Sequence, residues 1–444
     1  MHTRADSSFA FPDIAPAAGQ REAIGEHIRE AVAEADAPPL QRVLYVVSQF
    51  PSWSETFIVR EIHALIEEGV DVRILSLKHG DDTMVQADAA ALRERVRQPR
   101  GGLATLAGLA RALLAHPLRM ATIVADIVAG LWRKPTVMLK SLGTLVRVLP
   151  CLPWLQRFDP RFIHAHWSTY PTTAAWALSR LTGRPFGFTC HAHDVFRNHH
   201  LLPRKIEEAA LAVTISRHNV DWLDRHITPV ASRKLEVVHC GVDLRQIPWQ
   251  PDGRAGNEIV AVGRLSPEKG FHTLVEALAL LQRDGVRFHC RIIGEGPARN
   301  ALAALIGRHA LRGQVELAGA QPQEVVRAAL ARASVFALPC ELAANGSRDG
   351  IPVALMEAMA SGCAVVSCPV SGVPELIGDD VHGLLADEGD PASLASAIGR
   401  LLGDAALRRR LATAARQRVE AEFDARREAG RLHGLMRRAA AHAA

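Results

Sequence analysis

The sequence predicts an α/β protein made of two doubly wound parallel sheets that face each other across a central cleft. Three observations carry this. Apolar runs of buried-strand type alternate with amphipathic helical runs along most of the chain, the pattern of successive right-handed βαβ units. The alternation breaks at a polar, Pro/Gly-rich segment, 247–257 (I-P-W-Q-P-D-G-R-A-G-N), and then starts over. At 444 residues the chain is too long for one core and fits two domains of about 200 residues each. The expected organisation is a leader over 1–40, a first domain over 41–246, the linker 247–257, a second domain over 258–422 and a closing helical segment over 423–444.

The leader is rich in Ala and Pro, ends in Ala37-Pro38-Pro39 and is expected to stay outside the fold. R-V-L-Y-V-V-S (42–48) reads as a strand buried on both faces. A polar turn, Q-F-P-S-W-S-E-T-F, leads into a helix with Phe57, Ile58, Ile62, Leu65 and Ile66 at helical spacing. Gly69 closes that helix before the strand V-D-V-R-I-L-S-L (70–77). R-F-I-H-A-H (161–166), Pro185–Thr189, L-A-V-T-I-S (211–216) and L-E-V-V-H-C-G-V-D (235–243) supply the other strands of the first half. The second half repeats the scheme with strands at 259–265, 287–293, 314–319, 334–339 and 364–367. There S-P-E-K-G-F (266–271) opens a helix whose apolar face is Leu274, Val275, Leu278 and Leu281.

Residues 101–158 stand apart. Seven basic residues (Arg111, Arg119, Arg133, Lys134, Lys140, Arg147, Arg157) meet one acid, Asp126, among Leu, Val, Ala, Met and Trp. Apolar helices with basic flanks suit an anionic lipid surface, and equally a set of helices packed on the first domain.

Composition narrows the function. A net charge of +5 favours anions or an anionic membrane surface, but no nucleic-acid-binding motif accompanies it. Seven scattered cysteines without a C-x-x-C pair fit reduced thiols and give no zinc or disulfide framework. The first ten residues have no apolar region of signal-peptide type, and no stretch reaches about 18 uncharged apolar residues. The expectation is a cytoplasmic protein, peripheral to the membrane.

Ligands of parallel sheets bind beyond the carboxyl ends of the strands. Asp349 to Glu357 (D-G-I-P-V-A-L-M-E) follows the strand 334–339 and opens a helix, so Asp349 reads as a helix N-cap or as an anion-proximal carboxylate, and Glu357 as a surface acid or a ribose-binding one. Arg264 follows a strand with Lys269 five residues on, a plausible diphosphate clamp. Gly294-Glu295-Gly296 closes the next strand. In the first half, Ser54, Glu55 and Thr56 either cap a helix or face a substrate, and His191 and Asp194 follow the strand 185–189. A metal held by His191, His193 and Asp194 is disfavoured, because H-x-H at a strand end fixes no third ligand.

These residues sit in motifs that resemble the GT-B glycosyltransferases of retaining family 4, nearest to the branch that builds exopolysaccharides such as colanic acid. The motifs, in order, are S-Q-F-P-S-W-S-E-T-F-I-V-R-E-I, F-T-C-H-A-H-D-V-F, V-H-C-G-V-D, V-G-R-L-S-P-E-K-G-F, R-I-I-G-E-G-P and R-D-G-I-P-V-A-L-M-E-A-M-A-S-G, spanning Val43 to Phe423. The resemblance implies two Rossmann-like domains, acceptor-binding then donor-binding, with the final helix returning to the first. It implies a nucleotide-diphosphate sugar donor (UDP- or GDP-linked), no metal or other cofactor, and transfer to a lipid-linked saccharide. By position it makes His191, Arg264, Lys269 and Asp349 the catalytic set. Gly263, Gly294, Glu295, Gly350, Ile351, Pro352, Val353 and Glu357 join the donor site, and Ser54, Glu55, Thr56 and Asp194 the acceptor side. Asp349 replaces the family's usual Glu and Pro352 a common Gly, which removes one N–H. A nucleotide-sugar epimerase and a non-catalytic nucleotide-sugar-binding protein are the alternatives on the same cleft.

Overall fold

The computed structural model describes residues 39–52, 55–80 and 87–443. Seven parallel strands form the first sheet: β1 (Arg42–Gln49), β2 (Asp71–Lys78), β3 (Val96–Arg97), β4 (Phe162–His166), β5 (Phe186–Cys190), β6 (Leu211–Thr214) and β7 (Leu235–Val237), in the order β3-β2-β1-β4-β5-β6-β7. The second sheet is β10-β9-β8-β11-β12-β13, from β8 (Ala255–Val262), β9 (His289–Ile293), β10 (Val315–Gly319), β11 (Ala333–Leu338), β12 (Ala364–Ser367) and β13 (Leu384–Leu385). Each sheet reverses its winding once, between β1 and β4 and between β8 and β11, so connections there leave in opposite directions and open a crevice.

Alternation along β1 divides the first core. Leu44 and Val46 point to one face, where Met120, Ile123, Ile127, Leu145 and Trp176 pack. Val43, Tyr45 and Val47 point to the other, covered by Ile58, Ile62 and Leu65 of the Thr56–Glu67 helix and by Leu432 and Met436. These last two come from the Ala425–His442 helix, so the chain crosses back to finish the domain in which it began. Asp424 caps that helix, its carboxylate accepting from the N–H groups of Arg426 and Arg427. Gly241 is a glycine because Ala425 backbone occupies the space of its Cβ.

Two expectations are corrected. The strand expected over 235–243 stops at Val237, because Val242 instead donates to Phe423 O at the domain crossing. The linker expected over 247–257 gives its last residues to β8, which starts at Ala255. Arg254 anchors that start by donating to Gln250 O, Leu330 O and Ala333 O. β3 and β13 were not read from the sequence, since two residues carry no periodicity. The leader 1–38 and Ser54 lie outside the described residues.

The basic, apolar insertion folds as four helices, Leu103–Ala115, Pro117–Leu131, Pro135–Val148 and the short Leu152–Phe158, the second and third with proline at the first position. The first two meet at 111°. Met120, Ile123, Ile127 and Leu131 form a buried stripe, as do Leu145 and Val148. Pro135–Phe158, with mean hydropathy 1.2 over its best window, has the length and composition to cross a bilayer, yet its inner stripe joins the first core. The outer faces are unusual: Leu103, Leu106, Leu114, Leu118, Trp132 and Leu139 are 63–85% exposed.

Met436→Ala removes a fully buried side chain from the returning helix and is expected to cost about 2–5 kcal/mol. Urea denaturation followed by circular dichroism measures it; an unchanged midpoint would show that the helix contributes nothing to the first domain.

Candidate active site

The crevice is built from residues at the carboxyl ends of both sheets. In the second domain Lys269 lies in a 3-10 turn, Pro267–Lys269, ahead of the Phe271–Arg283 helix rather than in its first turn. Gly270 joins the two with φ of +64°, and a Cβ there would collide with the Pro339 carbonyl oxygen, so the turn requires glycine. It aims the Lys269 ammonium at Asp349 Oδ2, 2.6 Å away. Burial works against that charge, but Asp349 and Cys340 outweigh it and hold the Lys269 pKa above its ordinary value. The Cys340 thiol also reaches Asp349 Oδ2, at 3.5 Å.

Asp349 is therefore not a helix cap. The cap position of the Val353–Ser361 helix is Pro352, which offers no side-chain acceptor. The first N–H groups of this helix are free of helical partners and open next to the Asp349–Ile351 loop. Gly350 rests on the first domain: a Cβ there would come within 2.9 Å of Ile215 Cδ1 and 3.4 Å of Ala192 Cβ. Ile351 packs on Gly372 beside Ser216. Gly263 is overlain by the Lys269 stem, and Gly294 by the Gly263 carbonyl. Arg264 is exposed and has no ion-pair partner among the described residues. Glu295 is turned outward in a pair with Arg299 at 3.1 Å.

Glu357 is 7% exposed and is held from across the crevice. Arg60 Nη2, on the Thr56–Glu67 helix of the first domain, donates to Glu357 Oε1 at 2.7 Å, and Gln323 Nε2 donates to the same oxygen at 3.1 Å. Arg60 was not among the sequence candidates.

On the first-domain side, His191 is 4% exposed at the end of β5, enclosed by Phe57 and Trp167 with ring centroids at 4.8 and 4.6 Å. Burial, then His166 and His164, push its pKa well below the usual histidine range, so the ring is neutral at neutral pH. His191 Nε2 lies 3.1 Å from His166 Nδ1, His166 Nε2 lies 3.0 Å from Glu61 Oε1, and Tyr45 donates to the same oxygen at 2.6 Å. With Glu61 accepting, one tautomer of each ring satisfies the chain: His166 donates from Nε2, and its Nδ1 accepts from His191. Glu61 and His166 were missed as site residues. Their signal was R-F-I-H-A-H, where two histidines one residue apart at a strand end share a face with Tyr45 on the neighbouring strand.

Glu55 occupies the helix cap position without a side-chain cap bond, so capping is not its role. Its Oε2 is buried without a partner, and burial pushes its pKa up to about 7 against His166 and Trp167. Thr56 starts the helix. Asp194, expected on the acceptor side, is fully buried. Its Oδ1 accepts from His191 N–H at 2.7 Å and its Oδ2 from Ser168 N–H, and burial lifts its pKa to about 6. It ties the β5 end to the loop after β4. In that loop Trp167 has φ of +74°, a strained conformation for a bulky residue. Buried Lys205 restrains it, donating to Ser168 O at 2.7 Å and Thr169 O at 2.9 Å.

Both Asp194 oxygens are thus committed to backbone N–H groups, which removes it as a metal ligand. A different trio, Glu61, His164 and His166, has donor atoms within 4.8 Å of one another. Glu61 and His166 are bonded to each other and His164 Nε2 to Thr189 at 2.9 Å, while His164 Nδ1 is buried without a partner.

Known proteins fit this geometry. Glycosyltransferase Family 4 matches residues 54–246 and Glycosyl transferases group 1 matches 251–418. A putative colanic acid biosynthesis glycosyltransferase WcaL of Escherichia coli is 33% identical, covering 80% of this chain and 89% of that protein. The chain is a glycosyltransferase of the exopolysaccharide type. The amylovoran biosynthesis glycosyltransferase AmsK of Erwinia amylovora is 30% identical over 86% of this chain and 96% of its own length. Sucrose-phosphate synthase of Thermosynechococcus elongatus shares the GT-B fold with a TM-score of 0.66 at 19% identity, covering 88% of this chain and 97% of that one. Anabaena HepE in complex with UDP shares it with a TM-score of 0.62 at 18% identity, covering 88% and 98%. The glycosyltransferase thus has two Rossmann-like domains whose sheet edges face one crevice.

Lys205 supplies a test of the strained loop. Burial lowers its pKa to about 7, with Asp194 opposing, so from pH 7 to 10 the unfolded chain binds more protons at this lysine than the folded one. Stability relative to Lys205→Met is therefore expected to rise with pH across that window in urea titrations; a pH-independent gap would refute the neutral buried amine.

Proposed function

We propose that this glycosyltransferase moves a sugar, with retention at the anomeric carbon, from a UDP- or GDP-linked donor to a lipid-linked saccharide at the inner face of the cytoplasmic membrane. The observation that carries the donor half is the Asp349–Ile351 loop, seated against Ala192 and Ile215 while Asp349 holds Lys269 at 2.6 Å. In this reading the carboxylate meets the sugar hydroxyls and the ammonium the diphosphate, beside the turn that follows His191. Arg264, exposed and unpaired, supplies the guanidinium fork for the diphosphate. Glu357, already bound by Arg60 and Gln323, takes the ribose hydroxyls through its remaining oxygen.

In this reading the bond between the anomeric carbon and the diphosphate oxygen breaks while the acceptor oxygen attacks the same face. The acceptor's proton passes to the departing phosphate oxygen. Lys269, Arg264 and the open N–H groups of the Val353–Ser361 helix stabilise the charge gathering on that leaving group, and this makes a metal unnecessary. Neutral His191, fixed by His166 and Glu61, offers polar contact near the reacting carbon without repelling the positive charge that develops there. Glu55 and Thr56, at the mouth of β1, face the acceptor hydroxyl. Anabaena HepE, solved with UDP-glucose, supports the nucleotide-sugar donor.

The insertion supports the membrane-presented acceptor. Leu103, Leu106, Leu114, Leu118, Trp132 and Leu139 stand exposed on helices that carry basic residues seven to one over acid.

Lys269→Ala and Glu357→Ala are each expected to slow nucleotide release from a UDP- or GDP-sugar with acceptor by about a hundredfold. Wild-type turnover in both variants would sink the donor assignment. Leu114→Asp with Leu118→Asp is expected to abolish flotation on phosphatidylglycerol vesicles; unaltered flotation would sink the docking face.

A further inference from the structure

Between the insertion and the segment that follows His191 lies an open basin of about 540 Å³, lined by Trp132, Arg133, Lys134, His199, His200 and Arg204, together with Asp126. We propose that this basin is a binding site for a phosphate or diphosphate group, the headgroup of the lipid that carries the acceptor; only this lipid source rests on the membrane reading above.

The charge balance is the first ground. The basin's acid, Asp126, is spent on two guanidinium groups, Arg180 Nη1 at 2.5 Å and Arg204 Nη1 at 2.8 Å. Arg133 and Lys134 are exposed and have no ion-pair partner among the described residues. Arg133 is propped on the Trp132 ring, its guanidinium 5.0 Å from the ring centroid. Two uncompensated cations of different shape, a planar fork and a point charge, suit a compact anion with several acceptor oxygens.

Unmet hydrogen bonding is the second ground. His199 Nδ1 and His200 Nδ1 are both shielded from solvent and lack a partner. Burial, then Lys134, Lys205 and His199, push His200 down to about 4, so its ring is neutral and can donate an N–H to an anion.

Placement is the third. Trp132, 64% exposed, sits at the turn between two helices whose outer faces carry Val128 and Leu139, 39% and 65% exposed. A face resting on acyl chains there would leave Arg133 and Lys134 at headgroup depth. A run of neighbouring rings lies between the basin and the crevice. Arg348, beside Asp349, lies 4.5 Å over Phe196, Phe196 is 5.1 Å from Trp222, and Trp222 is 4.8 Å from His226 in the basin wall. These partly exposed rings give a saccharide on the bound diphosphate a surface leading to the donor.

The test follows acylation of Lys134 by acetic anhydride, read by mass spectrometry on the full chain, with inorganic pyrophosphate as probe. This readout is local and ignores binding at Arg264 and Lys269. Pyrophosphate is expected to protect Lys134, with the protecting concentration raised about tenfold in Arg133→Ala/His199→Ala. Absence of protection at millimolar pyrophosphate overturns the site. Flotation then compares phosphatidylglycerol vesicles with vesicles of equal charge containing a polyprenyl diphosphate. A preference for the latter that the double variant loses supports the lipid headgroup; equal binding by wild type overturns that source in favour of free phosphate. Protection of Lys134 without flotation on either vesicle leaves the phosphate site supported and refutes the membrane reading.

Discussion

A buried ammonium is costly in a poorly polarisable interior, and Lys269 keeps its charge because Asp349 lies 2.6 Å from it. Much of the second domain's edge follows from that pair. The 3-10 turn and Gly270 aim the lysine, and the strand end at β11 and the Gly350-Ile351 turn place the aspartate. Because Asp349 is engaged by Lys269, the helix behind it begins at Pro352 with its first N–H groups uncapped by side chains. A charge-neutral pair beside open backbone donors leaves those donors available to an anion without a strong internal cap to break.

The first domain answers with the opposite device. His191 is surrounded by other imidazoles and kept neutral by burial, and its orientation comes from His166, Glu61 and Tyr45. The neighbouring Trp167 is held in a positive-φ conformation that costs roughly 1–3 kcal/mol, a strain repaid by Asp194 and Lys205 bonding to the adjoining peptide groups. Fully buried Asp194 and Lys205 are therefore part of the scaffold that fixes the histidine and not groups that meet substrate.

The insertion reconciles two readings that looked like alternatives. Its helices do pack on the first domain, by an inner stripe of Ile123, Ile127 and Leu145, and they also keep leucines and a tryptophan in contact with solvent on the outer side. A helix bears two faces, so burial of one says nothing against a membrane role for the other. The ion pair between Arg60 and Glu357 ties the first domain to the second across the crevice.

Local order was written in the sequence. The strands of both sheets, the doubly wound alternation and the loops at their carboxyl ends follow from apolar periodicity, because a parallel strand covered on both faces must be apolar throughout. The motif order pointed to Lys269, Asp349, Glu357 and His191 as candidates, and the structure sets Lys269 against Asp349. Boundaries governed by long-range bonds were not legible: β7 ends at Val237 because Val242 pairs with Phe423, and β8 begins early because Arg254 is anchored to the distant Leu330 and Ala333 carbonyls. Nor were partners legible. The sequence did not show that Lys269 is the partner of Asp349, Asp194 read as a substrate contact until both its oxygens were found on backbone N–H groups, and Arg60 and Glu61 were not singled out. A side chain's local sequence fixes which face of its element it occupies; which group meets it there is decided by residues elsewhere in the chain, from Ser168 beside Asp194 to Arg60 beside Glu357, and only the packed structure brings them together.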